Sequence, residues 1–458
     1  MFKKIVHLIL CAGIFAGCAS GSGEIQLSTP TVVSVAPTAI LFFPTMTPAN
    51  IPIATTLPTF TATVIASPIP SNTATSVPPS ATLLKPTAPP VTPASIVPTQ
   101  PTRPASVAST ETLTRFFVDA AKHPKARCND GTVPVFFFRR GIGDSVNKWV
   151  IYFKGGGNCT DQKSCELRDR SVTSSAPWQR KDLRELGDEE DRADGILSHN
   201  ASHNPDFYNW NHVFLTYCSS DNWSGTRAAS PATFNWHFVG HHITNAMIDA
   251  LQDQNIVGAQ NLANATQILF TGSSAGGAGL RNNLDRLAKQ FTRADVRGVS
   301  DAGISQPVDS AIEAQYQQLK KAQWDLWQPV YDESCVAANA AQPWNCNDGD
   351  FLVSNDHIQT PLFIHSDQLD PLVLDAQGLN LRTRADRPKI EAFAAKIREI
   401  LLNEPAVFSP FNNRHIILTN ERFYEYKING LTMFQVLGNW YFNRSGPKNV
   451  IEAPRPLR

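Results

Sequence analysis

Residues 267–284 confine the possible folds of this chain more than any other stretch, because an apolar run, Ile268-Leu269-Phe270, empties into Gly272-Ser273-Ser274-Ala275-Gly276 and then into helical spacing. Leu280, Leu284, Leu287, Ala288 and Phe291 recur at intervals that stack on one face of a helix. A serine between a buried strand and a helix must occupy a sharp turn, and Gly272 and Gly276 remove the side chains that would collide there. The turn lifts the hydroxyl of Ser274 clear of the sheet. A strand-to-helix turn built of small residues for packing alone shares the bare pattern, and the flanks on both sides argue for the elbow.

The strands that should accompany it follow in the rhythm of a parallel sheet. Residues 148–153, 212–217, 297–300 and 361–365 read as strands, and residues 234–251 as a helix. Alternation of this kind indicates an α/β fold with a mostly parallel central sheet flanked by helices, in which ligands gather at the carboxyl ends of the strands. The first of these strands runs into Gly155-Gly156-Gly157-Asn158. Three glycines free the backbone to turn amides toward a ligand, so Gly156 or Gly157, with Ala275 after the serine, are the expected donors to a developing oxyanion. No Lys-Ser/Thr follows the glycines, which argues against a nucleotide loop.

The order serine, acid, histidine then selects partners. Asp301, Asp367 and Asp370 are candidate acids, and Asp370 is taken. His357 and His365 precede Asp370, which leaves His415 as the base. His237, His241 and His242 could suggest zinc, but the glutamate of His-Glu-x-x-His is missing and no third ligand is evident, so no metal is expected.

The 458 residues carry 40 basic and 40 acidic side chains, and nothing in that balance points to nucleic acid. Lys3 and Lys4 precede an apolar stretch, residues 5–15, too short to span a bilayer well, and Ala16-Gly17-Cys18 follows. This ending is similar to the bacterial lipobox. The likeness implies lipidation at Cys18 and a membrane anchor, although Phe15 stands where that pattern favours Leu; plain cleavage with release is the alternative. Residues 19–110 hold 17 of the 33 prolines among Thr, Ser, Ala and Val, with almost no charge, and read as a disordered linker or a glycosylated stalk. Function is therefore expected in residues 111–458. Cys128, Cys159, Cys165, Cys218, Cys335 and Cys346 are an even set without Cys-x-x-Cys spacing, as suits disulfides in an exported domain. The pairs 159/165 and 335/346 are close enough for local staples, but fifteen connectivities remain open.

Four segments together carry a family likeness: Asn129-Asp130-Gly131, the strand into Gly155-Gly156-Gly157-Asn158-Cys159, Tyr217-Cys218-Ser219-Ser220-Asp221-Asn222-Trp223-Ser224-Gly225, and Gly272 to Gly277. Over roughly residues 125–445 the chain resembles the pectin acetylesterase/Notum family. The resemblance implies an α/β-hydrolase fold, carboxylic ester hydrolysis without a cofactor, a triad on Ser274, Asp370 and His415, and a Cys128–Cys218 disulfide. Asn158 stands where plant members have Trp, and Lys154 where they have an acidic or amide residue, which leaves the specificity open. Asp301 sits where relatives have Asp-Ser-Gly and is expected to hold a loop near the nucleophile. The expected activity is hydrolysis of O-acyl, foremost O-acetyl, esters on polysaccharide outside the cytoplasm. A deacylase of longer chains on lipid or protein, a glycan-binding surface lipoprotein and a metallo-hydrolase are the rivals.

Overall fold

The computed structural model describes residues 113–180 and 194–457. The expected signal segment 1–18, Cys18 within it, and the linker 19–110 lie outside the described residues. Among those described, nine strands form one sheet: β1 (Thr114–Phe117), β2 (Val135–Arg139), β3 (Lys148–Phe153), β4 (Asn211–Leu215), β5 (Gln267–Ser273), β6 (Asp295–Asp301), β7 (Leu362–His365), β8 (Val407–Ser409) and a last strand, Asn449–Ile451. Their spatial order is β1-β2-β4-β3-β5-β6-β7-β8 and then the last strand. Seven neighbours from β4 onward run parallel, and the antiparallel β2 joins β1 to that block. This is the α/β-hydrolase arrangement.

The central parallel strands β3 and β5 carry continuous apolar runs because both faces are covered. Alternation along β3 divides them: Trp149, Ile151 and Phe153 pack with the helices Gly240–Gln252 and Ala275–Ala288, whereas Val150 and Tyr152 pack with Trp178, Phe214 and the helix Met433–Tyr441. Leu280, Leu284 and Leu287 bury their side chains in the first of these layers, as their spacing requires.

The helix expected from residue 234 begins later, at Gly240. Phe234 and Asn235 adopt left-handed backbone, with φ of 57° and 61°, and stop any helix there. Their aromatic neighbourhood mimics helical spacing but serves another purpose: Phe238 packs beside Trp327 and the Cys159–Cys165 pair. His237 consequently precedes the helix, accepting from the Ala229 amide, while His241 lies within it beside Asn245. The two do not share a helical face.

The segment of residues 217–225 is a structural hub. The buried Asp221 carboxylate accepts from Ser219 Oγ (2.6 Å), the Trp223 amide (3.1 Å) and the Gly240 amide (2.7 Å). Burial raises its pKa to about 6 against the pull of those donors. Trp223 in turn donates to the Lys154 carbonyl at 3.1 Å and fills the space that a side chain at Gly279 would need. Disulfides join Cys128 to Cys218, Cys159 to Cys165 and Cys335 to Cys346.

Candidate active site

Ser274 occupies the junction of β5 and the helix Ala275–Ala288 with φ 56° and ψ −125°, a conformation L residues rarely hold. Close approach of backbone explains its neighbours. A Cβ on Gly276 would lie 2.0 Å from the Phe153 carbonyl oxygen, and one on Gly272 would lie 2.4 Å from the Gly276 oxygen. The Ser274 amide donates to the Asp301 carbonyl at 2.8 Å, which fixes the turn against β6.

His415 Nε2 stands 2.7 Å from Ser274 Oγ, and its Nδ1 stands 2.7 Å from Asp370 Oδ2. With the carboxylate on Nδ1–H, Nε2 is left as the acceptor for the serine proton. Asp370 lies just past β7, where it caps the helix Pro371–Ala376 by accepting from the Leu372 amide at 3.0 Å. The aspartate is buried, whereas 15 % of the histidine side chain is exposed. The three side chains that the order of the chain singles out therefore meet in one hydrogen-bonded line.

The other acids and histidines sit elsewhere. His357 rests on Ser334 at 3.0 Å, and His365 is buried between Asp301 (2.5 Å) and Asp367 (3.1 Å). Burial pushes the imidazole toward its neutral form, but the two carboxylates prevail and raise its pKa to about 9. Asp301 also accepts from Ser273 Oγ (2.6 Å) and the Leu418 amide (3.1 Å), and Asp367 from the Arg414 amide (2.7 Å). These bonds hold the loop of His415 on both sides and tie it to the elbow. Asp301 thus holds a loop beside Ser274, through a charged network that includes His365 and Asp367.

The glycine loop forms the facing wall. Gly157 and Asn158 line the cleft beside Ser274 and Ala275, and a Cβ on Gly156 would lie 2.6 Å from Val172 and 3.2 Å from Tyr217. Arg168 explains the orientation. Its guanidinium donates to the carbonyls of Gly156 (2.5 Å), Gly157 (3.1 Å) and Asn158 (3.2 Å), and its Nε to Ser220 Oγ (2.8 Å). In a planar trans peptide the N–H points opposite the C=O. Holding the carbonyls of 156 and 157 on Arg168 therefore turns the amides of Gly157 and Asn158 away from it. Neither amide has an acceptor among the described residues. No motif announces Arg168; only its position three residues after Cys165 ties it to the loop.

The open cleft at Ser274 holds about 210 Å³, and its lining includes the polar side chains of Asn158, Asn222, Asn347, Asp348, Asp350 and Arg281. Burial and the neighbouring Asp348 charge raise Asp350 to about 8, so this wall retains a proton near neutrality. Among the described residues no group of three His, Cys, Asp or Glu side chains is arranged to hold a metal ion.

Known proteins share this architecture. The chain is 31% identical over 328 residues to the palmitoleoyl-protein carboxylesterase Notum of Drosophila melanogaster, covering 68% of this chain and 46% of that protein. It is 32% identical over 188 residues to pectin acetylesterase 11 of Arabidopsis thaliana, covering 41% and 44%. It spans less than two thirds of the length of the first curated relatives. A crystal structure of the Drosophila Wnt deacylase Notum superposes with a TM-score of 0.64 at 29% identity, covering 75% of this chain and 97% of that one. Residues 107–457 match the pectinacetylesterase family, and with the fold and the serine elbow in place the chain belongs to that family.

Proposed function

We infer that residues 111–458 form a serine carboxylesterase that removes small O-acyl groups, foremost acetyl, from a polyhydroxylated polymer outside the cytoplasm. The observation that carries this reading is the line Ser274 Oγ–His415–Asp370, with both hydrogen bonds at 2.7 Å. His415 accepts the serine proton as Oγ attacks the ester carbonyl carbon, and Asp370 holds the imidazole tautomer and stabilises the cation that forms. The carbonyl electrons move onto oxygen, which receives the amides of Ala275, Gly157 and Asn158. Collapse expels the alcohol with the proton from His415. Water, deprotonated by the same histidine, then cleaves the acyl-enzyme to release the acid and restore Ser274.

A small acyl group is favoured by the cleft. About 210 Å³ lies below the roughly 300–1,000 Å³ of ordinary ligand pockets, and side-chain amides and carboxyls stand among its lining. Export is supported by the three disulfides. The first 110 residues would then serve as an exported leader and tether, with Cys18 lipidated in a membrane-anchored form.

The test is a series of p-nitrophenyl esters from C2 to C16, run beside Ser274→Ala. The reading expects the highest kcat/KM at C2 to C4, abolished in the variant. A maximum at C8 or longer would instead favour the deacylase reading that the name of the Drosophila relative suggests.

A further inference from the structure

Four side-chain amides close a ring at the rim of the cleft. Asn158 Nδ2 donates to Asn222 Oδ1 (3.2 Å), Asn222 Nδ2 to Asn347 Oδ1 (3.3 Å), Asn347 Nδ2 to Gln323 Oε1 (2.6 Å), and Gln323 Nε2 back to Asn158 Oδ1 (3.2 Å). Asn158, Asn222 and Asn347 line the same cleft as Ser274. The ring draws its members from distant parts of the chain: the glycine loop, the segment after β4, the helix Ser310–Trp327, and the turn that follows the Cys335–Cys346 staple. Asn222 is held there in left-handed backbone, with φ 52°, while the hydroxyl of Tyr217 accepts from its amide at 2.9 Å.

A primary amide offers two N–H donors and two carbonyl lone pairs. Closing the ring uses one of each per residue, so each member keeps one donor and one acceptor. None of these has a further hydrogen-bond partner among the described residues. Paired donors and acceptors suit a ligand whose groups both give and accept hydrogen bonds, and vicinal sugar hydroxyls do so. An alkyl chain does not: methylenes laid on the ring would strip water from the amides and return no hydrogen bond.

We propose that the Asn158–Asn222–Asn347–Gln323 ring is the specificity element of the cleft, binding the hydroxyls of an O-acetylated sugar and excluding acyl chains beyond a few carbons. The proposal rests on the esterase reading above and names what that site selects. Ser305 and the Asp348/Asp350 pair line the same cleft and extend the hydroxyl-binding surface.

The experiment compares kcat/KM on three substrates: O-acetyl xylo-oligosaccharide, p-nitrophenyl acetate and p-nitrophenyl octanoate. The proteins are the full chain, Asn347→Leu and Gln323→Leu, with thermal melting as the check on folding. Both variants are expected to lower the oligosaccharide-to-p-nitrophenyl-acetate ratio at least tenfold, and Asn347→Leu to raise the octanoate-to-acetate ratio by a similar factor. Two variants at neighbouring corners of the ring, one on each side of the Asn347–Gln323 bond, keep the test open if one fails to fold. Ratios unchanged in a folded variant would overturn the ring while leaving the esterase intact. An unmutated protein inactive on all three substrates would instead overturn the esterase reading, and the ring with it.

Discussion

At Ser274 a rare backbone conformation and two 2.7 Å hydrogen bonds converge on one hydroxyl. Asp370→Asn keeps the side-chain oxygen that caps its helix but removes the charge that fixes the His415 tautomer. It should lower kcat by about 10⁴-fold with little change in melting temperature, measured with p-nitrophenyl acetate. His365 carries a different expectation. Its folded pKa of about 9 exceeds the ordinary 6.5, so its contribution to stability is complete below pH 6.5 and is lost as pH rises through 9. Denaturant unfolding from pH 6 to pH 10 should show that decline, and His365→Asn should flatten it. The triad was legible in the sequence because chain order and local spacing restrict it to few residues. His365 was not legible as a buried cation, because Asp301 is brought to it only by the parallel register of β6 and β7, and Asp367 two residues on does not by itself announce the pairing.

The elbow is fixed by contacts between backbones. Gly276→Ala places a methyl carbon against the Phe153 carbonyl and should destabilise folding by about 3 kcal/mol, read as a lowered denaturation midpoint. Loop 155–158 is steered by a side chain. Arg168→Lys retains the charge but gives up the planar fork that serves three carbonyls, so kcat should fall on the order of 10²-fold while KM moves little. An unchanged kcat in folded protein would show that the loop orients its amides without Arg168. The glycine run told of a loop freed for ligand contact, yet it could not say which glycine faces the cleft. Gly157 lines the cleft, while the Gly156 carbonyl is held by the Arg168 guanidinium. The helix boundary at Gly240 was hidden for a similar reason: the residues before it have helical spacing, and only the left-handed Phe234 and Asn235 interrupt them.

For the whole molecule, strand and helix alternation sufficed to read the mostly parallel sheet, since apolar runs in β3, β4, β5 and β7 declare burial on both faces. The amide ring was beyond reach. Its hydrogen-bonded members are separated by 24 to 165 positions along the chain, and asparagine on its own signals only a polar loop. The composition break near residue 110 leads to a prediction at this scale. A protein beginning at residue 107, where the family match starts, should equal the full chain in melting temperature and in kcat on p-nitrophenyl acetate. Loss of either would assign the first residues a part in the catalytic domain.

The central claim is that Ser274 is a nucleophile activated by His415. It is tested most directly by treating the folded protein with a fluorophosphonate and mapping the adduct by peptide mass spectrometry. The expected result is one stoichiometric adduct on Ser274, with labelling slowed at least 10³-fold in His415→Ala. An adduct on Ser273, or no adduct in folded protein, would contradict the account.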